Sequence, residues 1–269
     1  MLNIAVLDDY QNVAFECANW SELAGKGSIS IFNDHIHCSE PLIDRLKEFE
    51  IICAMRERTP FSKEILHRLP KLQLLITSGM RNASIDVKAA NAQGVTVCGT
   101  DGLPYPTAEL TWGLILDLAR NISRENEAVK LGEWQTTLGV GLKGKTLGLI
   151  GLGNLGGQVA DYGNAFGMNV IAWSENLTDK KARDKNARYV ELNTLMSESD
   201  FISIHTVLSE RTLGLIDSSK LRLMKKSSFI VNTSRGPIID ESALVEVLEN
   251  AQIAGAGLDV FDLEPMPSD

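Results

Sequence analysis

The sequence predicts an α/β protein built as two doubly wound parallel-sheet domains. Apolar runs of strand length alternate with helical stretches through the first hundred residues. A turn-rich break carrying two prolines interrupts this series, and a second one begins at Lys145. In that second series a strand runs straight into the glycine loop Gly151-Leu152-Gly153-Asn154-Leu155-Gly156. A length of 269 residues suits two domains of ordinary size.

The first-half strands are expected at Ile4–Leu7, Ile29–Phe32, Ile51–Ala54, Leu72–Thr77 and Val95–Cys98. Between them Ser39 can cap a helix whose first turn holds Glu40 and Pro41, and Thr59-Pro60 opens another that Pro70 closes. Ser84 opens a third that ends near Gly94. Such alternation places parallel strands under helices on both faces.

The break is Gly99-Thr100-Asp101-Gly102-Leu103-Pro104-Tyr105-Pro106, a hinge candidate. It divides a first domain at 1–100 from a second at 101–269. Thr107-Ala108-Glu109 starts a long helix reaching about Arg120, with an apolar stripe broad enough for burial against a domain or a second subunit. Strands follow at Leu147–Ile150, Asn169–Trp173, Phe201–His205, Ser228–Asn232 and Ile253–Val260, with a weaker one at Arg188–Val190. The clearest later helix runs from Asp240 through Leu248.

Composition narrows the function classes. The formal net charge is -9 and no lysine or arginine block occurs, so the surface repels phosphate backbones and points away from nucleic acid. An anionic small substrate stays open, because a few arginines can reverse the field in one cleft. Cys17, Cys38, Cys53 and Cys98 show no C-x-x-C pairing, which predicts reduced thiols packed as small apolar residues and no metal site. The chain opens on a strand with no basic leader, and no apolar run is long enough to span a bilayer; a cytoplasmic location is the default expectation.

A glycine pattern alone is a weak signal, and its setting strengthens it. Gly151 permits the tight turn after the strand, and Gly153 lets a pyrophosphate approach the backbone. Gly156 lets the next helix lie close, with its amides aimed at the phosphates. The following strand ends at Trp173 and Ser174, where an acid normally pairs with the adenosine ribose. Ser174 would not repel a 2′-phosphate, and Asn176, Thr178, Lys180 and Lys181 could help to bind one. Glu175 could instead favour NAD, so NAD and NADP both remain open.

The segments Gly144–Gly153, Asn232-Thr233-Ser234-Arg235-Gly236 and Gly257–Pro265 resemble the D-isomer-specific 2-hydroxyacid dehydrogenases. Arg58-Thr59 and Ser78-Gly79 resemble that family's substrate-domain loops. The resemblance implies a flavodoxin-like substrate domain, a Rossmann coenzyme domain, and hydride transfer between a nicotinamide cofactor and a 2-keto or D-2-hydroxy acid. Arg235 then matches the arginine that grips the substrate carboxylate and polarises its carbonyl, a task suited to a planar, always charged fork. Glu264 matches the glutamate that supports a catalytic histidine, and Asp259 the carboxylate that anchors the nicotinamide amide. Thr233 and Ser234 match cofactor contacts, and the amides of Ser78, Gly79 and Met80 match the nest for the substrate carboxylate. A homodimer is implied as well.

The pattern also departs from the family. Its acid–base histidine follows the Glu-Pro motif, whereas the four histidines here are His35, His37, His67 and His205. The first three are expected at the surface or on helices. His205 ends a strand facing the cofactor crevice and is expected to neighbour the cofactor, not to replace the catalyst. The 269 residues are therefore expected to be C-terminally truncated relative to the pattern and impaired in turnover. A catalytically inactive, redox-sensing NAD(P)-binding interaction protein is the alternative. Asn154 stands where the family often has an arginine against the pyrophosphate, which weakens that grip.

Overall fold

The computed structural model describes residues 1–80 and 82–266, so Pro267, Ser268 and Asp269 of the expected second domain lie outside the described residues. The chain divides into two compact units, Met1–Leu103 and Pro104–Asp269.

The first unit holds strands β1 (Leu2–Val6), β2 (Gly27–Ile31), β3 (Ile51–Ala54), β4 (Leu74–Thr77) and β5 (Thr96–Gly99). All pair in parallel, in the order β2-β1-β3-β4-β5. That is the flavodoxin-like order of a doubly wound sheet. Helices α1 (Ala14–Cys17), α2 (Ser39–Leu46), α3 (Lys63–His67) and α4 (Val87–Ala92) connect them. One core, with Leu46, Ile52, Phe61, Leu66 and Leu75 fully buried among its members, joins sheet and helices.

Two helices of this unit start later than their sequence signals. Phe61 and Ile85 form a parallel bridge, and this short pairing holds the chain extended past Thr59-Pro60 and past Ser84. The Thr59 hydroxyl is taken by Asp8 and the Ser84 hydroxyl by the Glu57 carbonyl, so neither can cap. Ser62 and Asp86 accept the cap bonds instead. At α2 the N-cap position falls on Cys38, without a side-chain cap, and Ser39 is already helical.

In the second unit, β6 (Thr146–Ile150), β7 (Asn169–Trp173), β8 (Arg188–Tyr189), β9 (Phe201–Ile204), β10 (Phe229–Asn232) and β11 (Gly255–Leu258) are again parallel. Their order is β11-β10-β9-β6-β7-β8, the Rossmann arrangement. The helices are α5 (Pro106–Arg120), α6 (Ile122–Lys130), α7 (Asn154–Ala165), α8 (Asp179–Arg183), α9 (Leu192–Glu198), α10 (Ser218–Leu221) and α11 (Glu241–Glu249). Strand alternation gives the sheet two apolar faces. Leu147, Leu149, Phe201 and Val231 meet Trp112 and Ile115 of α5 and Val159 of α7 on one side. Ile150, Ile202, Ile204 and Ile230 meet Leu195, Leu221 and Leu244 on the other. Both faces must be covered for a parallel sheet to persist, and here both are.

Chain order reverses between β6 and β9, so the crossovers leave their C-terminal ends in opposite directions. Ligands bind in the crevice opened at such a switch point. Gly151 and His205 occupy its two lips.

The cysteines depart from expectation. Cys17, Cys38 and Cys98 are exposed and only Cys53 is half-buried, its thiol pKa raised by burial. All four are free thiols.

Candidate functional site

The crevice is shaped first by backbone. The Gly151 N–H donates to the Trp173 carbonyl at 2.7 Å, and the His205 N–H donates to the Ile150 carbonyl at 2.7 Å. Gly151 adopts a φ of +99°, and a Cβ there would stand 2.5 Å from the His205 carbonyl oxygen. Gly156 is equally constrained, since a Cβ on it would lie 2.1 Å from the Gly151 oxygen. Gly153 differs: a Cβ there would meet nothing within 4 Å, so its face is open. Two glycines pack the turn and the third leaves room for a ligand. Asn154 and Leu155 open α7, whose first turn contains no acid, so its free amides face that room with their positive end.

His205 lies under the loop. Its Nε2 pairs with the Ser203 hydroxyl at 2.9 Å, while Nδ1 is buried without a partner among the described residues. Burial lowers its pKa from an ordinary 6.5 to about 4. An orphaned ring nitrogen beneath an open glycine loop fits a bound polar group such as a dinucleotide.

A cavity of about 660 Å³ extends from Leu152 and Gly153 past Trp173 and Ser174 to the loop after β9. That volume suits a nucleotide half. Sequence reasoning missed several of its lining residues, among them Lys185, Ser209 and Arg211. No motif marks them, and only the fold brings them to the glycine loop.

The loop after β10 is clamped by Asn232, which is 1% exposed. Its side chain donates to the Arg235 carbonyl at 2.9 Å and accepts from the Ser234 N–H at 3.0 Å. The Thr233 hydroxyl is shared with Thr111 of α5 at 2.8 Å, and the Ser234 hydroxyl donates to the Ile204 carbonyl at 2.8 Å. Both hydroxyls thus hold the loop in place. Asn232 ends β10 and heads the Asn232–Gly236 motif, and only the structure shows its clamping bonds.

Gly236 then allows a close crossing. A Cβ on it would lie 2.1 Å from the Phe261 carbonyl carbon, so the segment carrying Glu264 packs against the residue following Arg235. Glu264 is exposed, and its Oε1 accepts from the Phe261 N–H at 3.0 Å. Asp259 follows β11, its N–H bonded to the Asn232 carbonyl at 3.0 Å. Arg235, Asp259 and Glu264 are therefore tied to one end of the sheet, that of Gly151 and His205.

In the first unit the Ser78 N–H donates to the Ala54 carbonyl at 3.1 Å and the Gly79 N–H to the Thr100 hydroxyl at 3.1 Å. Of the three expected nest amides only that of Met80 has no partner among the described residues. His35 is no surface residue: its side chain is 5% exposed, and Nδ1 lies 2.7 Å from an oxygen of buried Asp8. Asp8 also accepts from the Thr59 hydroxyl at 2.7 Å and the Tyr10 hydroxyl at 3.3 Å. Arg58 donates to the Asp8 carbonyl and lies over the Tyr10 ring, 4.6 Å from its centroid. This cluster binds together the loops that follow β1, β2 and β3. His67 does lie on a helix, α3, and His37 is exposed.

The fold and crevice define a dinucleotide-binding α/β protein. The family model for the D-isomer specific 2-hydroxyacid dehydrogenase NAD binding domain matches residues 112–269. Glyoxylate reductase of Thermococcus litoralis is 37% identical over 234 residues, 83% of this chain and 70% of that protein. Hydroxypyruvate reductase of Thermotoga maritima is 38% identical over 250 residues, 92% and 80% of the two chains. The crystal structure of phosphoglycerate oxidoreductase from Vibrio cholerae superposes with a TM-score of 0.93 at 35% identity, over 100% of this chain and 87% of that one. The chain belongs to the D-isomer-specific 2-hydroxyacid dehydrogenase family.

Substitution separates the two glycine roles. Gly151→Ala is expected to lower the melting temperature sharply, because φ and the His205 carbonyl both oppose a Cβ. Gly153→Ala should melt like the parent yet lose dinucleotide affinity; equal melting losses for both variants would refute the distinction. His205 yields a pH prediction. Its folded-state pKa lies below the unfolded one, so the unfolded chain binds more protons between about pH 6.5 and 4. Stability should fall across that window by on the order of 2–3 kcal/mol, and a His205→Asn variant should lack this share in urea titrations at stepped pH.

Proposed function

We propose that the chain reduces a small 2-keto acid with a nicotinamide dinucleotide as hydride donor. The observation that carries this is Arg235, held by the Asn232 clamp at the same sheet end as the open glycine loop. When bound, the nicotinamide supplies or accepts the hydride. Gly151, Gly153 and Gly156 shape the backbone that receives the pyrophosphate, with Asn154 and Leu155 opening the helix behind it. Trp173, Ser174 and His205 line the dinucleotide crevice, and Asp259 holds the carboxamide. Thr233 and Ser234 contribute by fixing the loop, their hydroxyls being already bonded within the protein. Arg235 pairs with the substrate carboxylate and polarises the carbonyl. Glu264 resembles the family's histidine-supporting glutamate.

The relatives' names support glyoxylate and hydroxypyruvate as first substrates to try. Steady-state assays of the 269-residue chain with both acids and both reduced dinucleotides, beside binding titrations, test the reading. We expect dinucleotide binding and reduction of at least one of the two acids. Arg235→Ala should raise the keto-acid KM roughly a hundredfold, the worth of two charge-assisted bonds, with dinucleotide affinity kept. Dinucleotide binding without any keto-acid effect would favour the redox-sensing alternative.

A homodimer forms a second part of the proposal. Ile122, Val129, Leu131, Trp134 and Leu138 are large apolar residues left exposed on and after α6, with Leu138 at 95%. So much apolar surface in one segment marks a docking face, and a second copy is the partner the family resemblance implies. Sedimentation should give twice the chain mass, and a Trp134→Ser/Leu138→Ser double variant should sediment as a monomer.

A further inference from the structure

Lys185 lies in the turn between α8 and β8, outside the glycine loop and the Asn232–Gly236 and Gly257–Pro265 motifs, yet its side chain reaches the glycine loop. Its Nζ donates to the Gly153 carbonyl at 2.6 Å. Gly157 opens the path, since a Cβ there would stand 2.7 Å from Nζ and 3.4 Å from Cδ. A cation beside the first turn of α7 faces the positive end of the helix dipole, and that turn offers no acid to offset it. Positive charge is thus gathered at a spot that favours an anion.

The cavity wall extends this pattern. Lys185 shares the cavity with Lys181, Arg211 and neutral Ser174, against the carboxylates of Glu175 and Asp184. Three cations face two acids, although the chain as a whole carries a net charge of -9. Ser174 ends β7, the strand whose end faces the adenosine ribose in this fold, whereas the pyrophosphate lies on the first-turn amides of α7. Lys181, Lys185 and Ser174 line one cavity, so a phosphate on a ribose held at Ser174 would share that cavity with both ammonium groups.

The geometry points to Lys185 and Lys181 as the residues that bind the 2′-phosphate of NADPH, giving this chain a preference for NADPH over NADH. This rests on the dinucleotide reading above. Ser174 admits the phosphate by carrying no charge, and Lys181 and Lys185 supply the cations.

The test uses the 269-residue protein and the fluorescence of Trp173, which lines the cavity. The probes are adenosine 2′,5′-bisphosphate and 5′-AMP, which differ only in the 2′-phosphate, with NADPH and NADH titrated in parallel. The bisphosphate should bind roughly tenfold more tightly than 5′-AMP, as one charge-assisted contact allows. Lys185→Met should remove most of that ratio and leave 5′-AMP binding unchanged. Gly157→Ala, which displaces the ammonium while keeping the lysine, should do the same. Melting curves of both variants should match the parent. Equal affinities for the two probes overturn the proposal, as does a Lys185→Met variant that weakens both equally. If NADH binds and the probes do not differ, this proposal alone fails. If neither dinucleotide binds, the reading beneath it fails too.

Discussion

The contact between Gly151 and the His205 carbonyl is the constraint on which the crevice depends. β6 and β9 are neighbours in the sheet, and each ends by turning away from the other. A side chain at Gly151 would push the two strand ends apart, because its Cβ would fall 2.5 Å from the carbonyl oxygen. Gly156 then packs on the Gly151 oxygen, which fixes where α7 begins and therefore where its free amides point. The direction of a helix dipole is thus set by the absence of two methyl groups.

Electrostatics works locally against the global sign. The chain carries nine more acids than bases, which serves solubility and discourages polyanions. Within the crevice the balance reverses through α7's amides, Lys181, Lys185 and Arg211. His205 does not add to this field: burial keeps its ring neutral near physiological pH, so it offers a hydrogen bond and not a charge.

Features encoded by neighbours in sequence were legible from the sequence. The glycine loop needs a strand before it and a helix after it, and both are written within about twenty residues. Strand alternation and the hinge at 99–106 are local in the same sense, and the structural boundary at Leu103 falls inside that hinge. What stayed hidden is made by long-range pairing. Asp8 meets His35 at a separation of 27 residues and Thr59 at 51, so no window reveals that Thr59 is occupied and cannot cap. The Phe61–Ile85 bridge that delays α3 and α4 is equally non-local. Lys185 looks like one of several solvated lysines until the fold carries it to Gly153.

The two halves of the site are built from different material, and this bears on how the family varies. The dinucleotide half is made of backbone, with turns, amides and glycines whose positions the sheet dictates. The substrate half of the proposed site rests on side chains presented by loops: Arg235 on the Asn232 clamp, and Glu264 on a segment that Gly236 allows to cross. Backbone geometry tolerates few changes without loss of fold, whereas a loop side chain can change at small cost to stability. Relatives at 37% and 38% identity bear the names of reductases of different 2-keto acids. That is the divergence expected when cofactor recognition is welded to the sheet and substrate recognition is hung from its loops.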